Sequence, residues 1–101
     1  SFTCTMQTFQ NKDKQRLFTS SGLAPMGFGL PGSVGACFAN EKKKTICITG
    51  DGGMMFNIQE LQTIVEYNLP VKLFVINNGG YVSMINWQDT IFPKWCYQNK
   101  T

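Results

Sequence analysis

The sequence predicts an α/β fold built on parallel βαβ units, and three observations carry that expectation. Thr45 to Thr49 (TICIT) and Val71 to Ile76 (VKLFVI) are short apolar runs rich in β-branched residues, the pattern of strands buried in a parallel sheet. Between them, Ile58, Leu61, Ile64 and Val65 repeat at helical spacing opposite Gln59, Glu60, Gln62 and Glu66. Together the three stretches have the size of one right-handed βαβ unit, about thirty residues.

Taken in chain order, Phe2 to Phe9 is mixed and polar-rich, and Asn11 to Arg16 is charged and turn-like. Leu17 to Ser21 is the length of a short strand. Pro31 falls where a first-turn proline is tolerated, and Gly32 to Ala39 reads as a helix ending at Asn40. Its Gly32, Gly35, Ala36 and Ala39 share one nearly bare face, which suits close approach to a sheet. The strand at Thr45 to Thr49 leads into Gly50-Asp51-Gly52-Gly53, read as a loop. Asn57 is placed as the N-cap of a helix running to about Tyr67, stopped by Asn68-Leu69-Pro70. The second strand closes on Asn77-Asn78-Gly79-Gly80. Beyond Tyr81 the chain reads as aromatic-rich and irregular.

Composition narrows the function. The 101 residues are 43% hydrophobic and 15% charged, a globular balance sized for one modest domain. The absence of histidine removes Ser-His-Asp and Cys-His nucleophiles, HExxH proteases and Cys2His2 zinc sites. Net charge is +3, too mild to suggest a nucleic-acid partner, and Lys42-Lys43-Lys44 reads as a solvated loop. Cys4, Cys37, Cys47 and Cys96 show no CxxC spacing, so a reducing, cytoplasmic setting is expected. Leu17 to Asn40 is uncharged, but its five glycines and two prolines suit tight packing better than lipid, and no membrane partner is expected. Asn99-Lys100-Thr101 matches a glycosylation sequon that arises readily by chance.

Parallel strands end at the same edge of a sheet. Asp51 after the first strand and Asn78 after the second therefore meet where open α/β sheets bind ligands. A carboxylate, an amide oxygen and a backbone carbonyl of the Gly79-Gly80 turn suit Mg2+ or Ca2+. Gly52 and Gly53 leave backbone N–H groups open to a phosphate. The pair reads as a metal-bridged diphosphate site. Either motif alone is ordinary turn chemistry, and only their joint placement is informative. Gly27-Phe28-Gly29-Leu30-Pro31-Gly32 also matches GxGxxG. A dinucleotide fold would need a strand running directly into it, and Gly22-Leu23-Ala24-Pro25 suits a central strand poorly.

Gly50-Asp51-Gly52 followed by Asn77-Asn78 resembles the diphosphate and metal motif of thiamine-diphosphate-dependent enzymes. Ser21 to Pro31 is similar to the segment preceding that motif in the acetolactate synthase and pyruvate decarboxylase group, and Asn57 to Lys72 resembles the acetolactate-synthase-like branch. The resemblance runs from about Gln15 to Asp89. It implies that Asp51, Asn78 and the Gly80 carbonyl hold Mg2+, and that Gly50, Gly52 and Gly53 lie on the diphosphate. Met26 would be the wedge that bends the cofactor, with the Ala24 carbonyl and Met26 amide on its pyrimidine. The lesser alternative, read from residues alone, is that Met26 is a gap-filling core side chain. Trp87 falls where the family has a tryptophan lining the substrate channel, or is a plain core or interface aromatic. Ala24-Pro25 departs from the usual glycine-led pair, and Gly79-Gly80-Tyr81 with Ser83 is closer to acetolactate-synthase-like proteins of uncertain substrate.

On this resemblance residues 1–101 are a partial thiamine-diphosphate-binding domain, incomplete at both ends, with family strands expected before Ser1 and after Thr101. The pyrimidine-binding domain, whose glutamate activates the cofactor, is expected in a partner subunit of a homodimer or homotetramer. No catalytic residue is assigned within the chain, and the chain alone is expected to be inactive. The implied activity is decarboxylation of a 2-oxo acid such as pyruvate with transfer of the two-carbon unit. Alternatives are non-oxidative 2-oxo acid decarboxylation and a non-catalytic cofactor-binding module.

Overall fold

A computed structural model describes residues 2–92 of the chain. The calls on Pro93, Trp95, Cys96, Tyr97 and the Asn99 sequon lie outside the described residues. The elements are α1 (Phe2–Thr8), α2 (Gly29–Ala39), β1 (Thr45–Gly50), α3 (Asp51–Met55), α4 (Glu60–Glu66), β2 (Val71–Ile76) and α5 (Val82–Ile91).

The two strands pair in parallel, with Thr45 opposite Val71 and Gly50 opposite Ile76. Thr45 N–H also donates to the Pro70 carbonyl at 3.0 Å, which carries the pairing one residue back. Alternation then sorts the side chains. Cys47 and Thr49 point to the buried face, while Ile46 and Ile48 on β1 and Phe74 and Ile76 on β2 are exposed. Helix α2 covers the buried face, close enough that a side chain at Gly29 would touch Cys47 Sγ and Thr49 Cβ at 3.6 Å. Val34, Cys37 and Leu69 form the core, with Ile64 and Val71 packed against them.

Cys37 and Cys47 act as small apolar groups, as their neighbourhoods suggested. Burial pushes the Cys47 thiol up, a tendency opposed by a hydrogen bond with Ser33.

Several elements differ from the sequence expectation. Residues 17–21 form no strand. Helix α2 starts at Gly29, three residues early, and buries Leu30, Ser33, Val34 and Cys37. Its bare Gly35 and Ala39 face outward instead, because the larger apolar side chains on the opposite face remove more surface from water. The expected Asn57–Tyr67 helix is only Glu60–Glu66, and Val65 of its stripe is exposed. Helices α1 and α5 form where none was expected.

Helices α2 and α4 both stop in Schellman motifs. At α4, Asn68 (φ 48°) donates to Val65 and Leu69 donates to Ile64, so Asn68 ends the helix before Pro70 is reached. At α2, Glu41 (φ 55°) donates to Phe38 and Lys42 to Cys37. Glutamate is poorly suited to that backbone. Glu41→Gly is expected to stabilise the fold by about 0.5–1 kcal/mol, measured by urea unfolding.

Candidate functional site

The carboxyl ends of β1 and β2 meet as the topology requires. Gly50 is extended (φ −85°, ψ 161°) and caps α3, so GDGG is no loop: Asp51, Gly52 and Gly53 are the first turn of a helix. Their N–H groups fall where a helix has no internal acceptors. Across the edge, Gly79 (φ 79°) and Gly80 (φ 143°) turn the chain after β2. The two asparagines before them divide the work. Asn77 Oδ1 accepts a 3.0 Å bond from the Gly79 N–H and shapes the turn, whereas Asn78 faces α3.

One terminal atom of the Asn78 amide lies 3.2 Å from Asp51 Oδ1 and 2.9 Å from the Gly80 carbonyl oxygen. Nitrogen at that position donates two hydrogen bonds. Oxygen there places three oxygens face to face, which is stable only around a cation. Neighbouring ligands of an octahedral Mg2+ at 2.0–2.1 Å stand about 2.9 Å apart. The spacing therefore fits a small hard cation. Among the described residues no group of three His, Cys, Asp or Glu gathers.

Aromatic packing builds the wall beside it. The Tyr81 ring lies against Gly52, where an added Cβ would overlap ring atoms. The Phe56 ring meets Tyr81 edge-on at 6.4 Å. Gly52 is thus glycine because Tyr81 occupies the space a side chain would take.

A broad open cleft of about 1280 Å³ is bordered by forty residues between Thr5 and Asn86, among them Ala24, Met26, Gly50, Asp51, Gly52, Gly53, Asn78, Gly80, Tyr81 and Ser83. Every residue assigned to the diphosphate, the metal or the pyrimidine end borders this one cleft. Met26 is 48% exposed, so it fills no core gap. Ala24 sits at φ 44°, a conformation glycine adopts without strain, which is the physical content of the departure at Ala24-Pro25. Residues 17–28 contain no strand, so the GxGxxG match lacks the strand a dinucleotide fold requires.

Trp87 lies on α5, 65% exposed, in a groove of about 440 Å³ with Ser83, Met84, Gln88 and Phe92; Ser83 and Met84 also line the cleft, so the two adjoin. Asn57 was expected to cap a helix; Gln59 takes that place without a side-chain bond, and Asn57 reaches elsewhere. Gly27, Phe56 and Tyr81 were not anticipated. The spacing of Met84, Trp87 and Ile91 did carry a helical signal for α5.

No helix among the described residues is long and apolar enough to cross a membrane. Similarity to known proteins is extensive. Over 86 residues, 85% of this chain, it is 43% identical to the probable acetolactate synthase large subunit of Methanococcus aeolicus, covering 14% of that protein. It is 40% identical over 88 residues to the acetolactate synthase isozyme 1 large subunit of Escherichia coli (strain K12), 87% of this chain and 16% of that one. An acetolactate synthase large subunit of Buchnera aphidicola is 46% identical over 78 residues, 77% of this chain and 14% of the relative. The chain thus spans about one-seventh of the length of the curated relatives it matches. Residues 2–101 match the family described as thiamine pyrophosphate (thiamine diphosphate) enzyme, C-terminal TPP binding domain. With a parallel sheet whose two strand ends bring Asp51 and Asn78 together, the chain belongs to that family.

Proposed function

We propose that the cleft holds the diphosphate and Mg2+ of thiamine diphosphate, as part of an acetolactate-synthase-like enzyme that decarboxylates a 2-oxo acid and transfers the two-carbon unit. The observation that supports this most directly is the Asn78 amide standing 3.2 Å from Asp51 Oδ1 and 2.9 Å from the Gly80 carbonyl oxygen, at the shared edge of two parallel strands, in a chain of this family. Asp51 would give the one formal charge of the set and Asn78 Oδ1 and the Gly80 carbonyl would add neutral oxygens, so that a Mg2+ held there would offset the charge of the diphosphate. Gly50, Gly52 and Gly53 let the backbone approach the diphosphate closely. The Ala24 carbonyl and Met26 take the pyrimidine end, with Met26 supplying an apolar surface in the cleft.

Bound there, thiamine diphosphate supplies the electron sink that a 2-oxo acid needs in order to lose carbon dioxide. The residues of this chain anchor and orient. The glutamate that activates the cofactor is assigned to a pyrimidine-binding domain of a partner subunit, in a homodimer or homotetramer with its site between chains. In this reading residues 1–101 are one part of a thiamine-diphosphate-binding domain. Trp87, on α5 in the groove that shares Ser83 and Met84 with the cleft, is proposed for the substrate channel on the resemblance.

Product analysis of the full-length protein given pyruvate, thiamine diphosphate and Mg2+ tests the reaction. Acetolactate is expected. Acetaldehyde instead would establish simple decarboxylation, and no turnover with tight cofactor binding would establish a binding module.

A further inference from the structure

Residues 16–28 form neither helix nor strand, yet they carry Ala24 and Met26 into the cleft. A hydrogen bond from Asn57 ties residues 16–27 to a distant segment. The Asn57 Nδ2 donates to the Gly27 carbonyl at 2.9 Å, across thirty positions of sequence. Asn57 lies in the turn between α3 and α4, partly buried. Packing converges on the same point. Gly27 is buried at φ 90°, and a Cβ on it would stand 2.7 Å from Phe56 Cβ and 2.8 Å from Asn57 Nδ2. Phe56 then meets Tyr81, and Tyr81 lies against Gly52. One line of contacts runs from the Met26-Gly27 turn to the first turn of α3.

We propose that Asn57 is a positioning residue that sets the distance between the two ends of the cleft. Resting on the functional reading above, the bond holds the Met26 turn in register with Asp51, Gly52 and Gly53. A ligand with a diphosphate at one end and a ring at the other then meets both ends in one geometry. A ligand that is diphosphate alone has no use for the register. Preorganisation of this kind acts by lowering the ordering cost of binding.

The test compares two ligands on the full-length protein with Mg2+ present: thiamine diphosphate and inorganic diphosphate. Asn57→Ala is expected to weaken thiamine diphosphate about fivefold to tenfold, the effect of one lost hydrogen bond and a loosened turn. Inorganic diphosphate should change by less than about twofold on the same grounds. Amide exchange at residues 26–28 should quicken. Asn57→Asp keeps the size and removes the donor; it should show the same split and serves if the alanine variant fails to fold. Unchanged affinity for thiamine diphosphate, or an equal loss for both ligands, would overturn the proposal. Wild-type protein that binds neither ligand would instead sink the reading of the cleft itself.

Discussion

Asp51→Ala in the full-length protein is expected to weaken thiamine diphosphate binding in Mg2+ by at least about thirtyfold. The reason is the composition of the oxygen set. Asn78 and Gly80 contribute neutral oxygens, so Asp51 carries the whole formal charge that draws a divalent ion to this face. Truncating one partner of a close, charge-bearing contact costs about 2–5 kcal/mol, against roughly 1 kcal/mol for a neutral hydrogen bond. Asn78→Ala should therefore have the smaller effect, near tenfold. Asp51→Asn retains an oxygen without the charge and should fall between them. Calorimetric titration measures all three, with circular dichroism confirming that α3 persists. An Asp51→Ala protein that binds the cofactor like wild type would remove Asp51 from the site.

Gly27→Ala is expected to destabilise the protein by about 2–4 kcal/mol, because two penalties coincide at one residue. At φ 90° a Cβ strains the backbone by roughly 1–2 kcal/mol. The same Cβ would press on Phe56 Cβ, which is fixed to its own backbone and cannot swing aside. Overpacking of that kind adds about 1–3 kcal/mol. Gly35→Ala is the control. No atom lies within 4 Å of its added Cβ and the site is inside α2, so that change should be neutral or stabilising by up to about 1 kcal/mol. Urea unfolding of the two variants side by side gives the comparison. Equal stabilities would mean that the Met26-Gly27 turn is not packed against the α3–α4 turn.

The contrast between these glycines shows where the sequence was legible. TICIT and VKLFVI were readable as strands because apolar β-branched runs bounded by turn residues have few other uses. Once the strands were parallel, Asp51 and Asn78 had to share an edge, and topology alone brought them together. Ala24 and Met26 precede β1 in chain that is neither helix nor strand, so topology could not place them and only the family resemblance named them. Local pattern was silent on what tertiary contact decides. Nothing local separates Gly27, pressed by Phe56, from Gly35, which faces open space. Asn57 has the composition of an N-cap, and its pull toward Gly27 is visible only across thirty residues. Two glycines after Asp51 read as a loop because they weaken helices, yet the first turn of α3 accepts them with Tyr81 packed alongside. The small-residue face of α2 suggested close sheet contact. Leu30, Val34 and Cys37 took that place by burying more apolar surface.

The assignment of Asp51, Asn78 and Gly80 to the cofactor's metal ion is the proposal on which the functional reading turns. It is tested by a crystal structure of the full-length protein with thiamine diphosphate and Mn2+ in place of Mg2+, with the ion located by its anomalous scattering. One peak is expected within about 2.0–2.3 Å of Asp51 Oδ1, Asn78 Oδ1 and the Gly80 carbonyl, with the Asn78 amide oxygen turned inward. A bound cofactor whose ion touches none of these three oxygens, or an Asn78 amide still presenting nitrogen to Asp51, would contradict it.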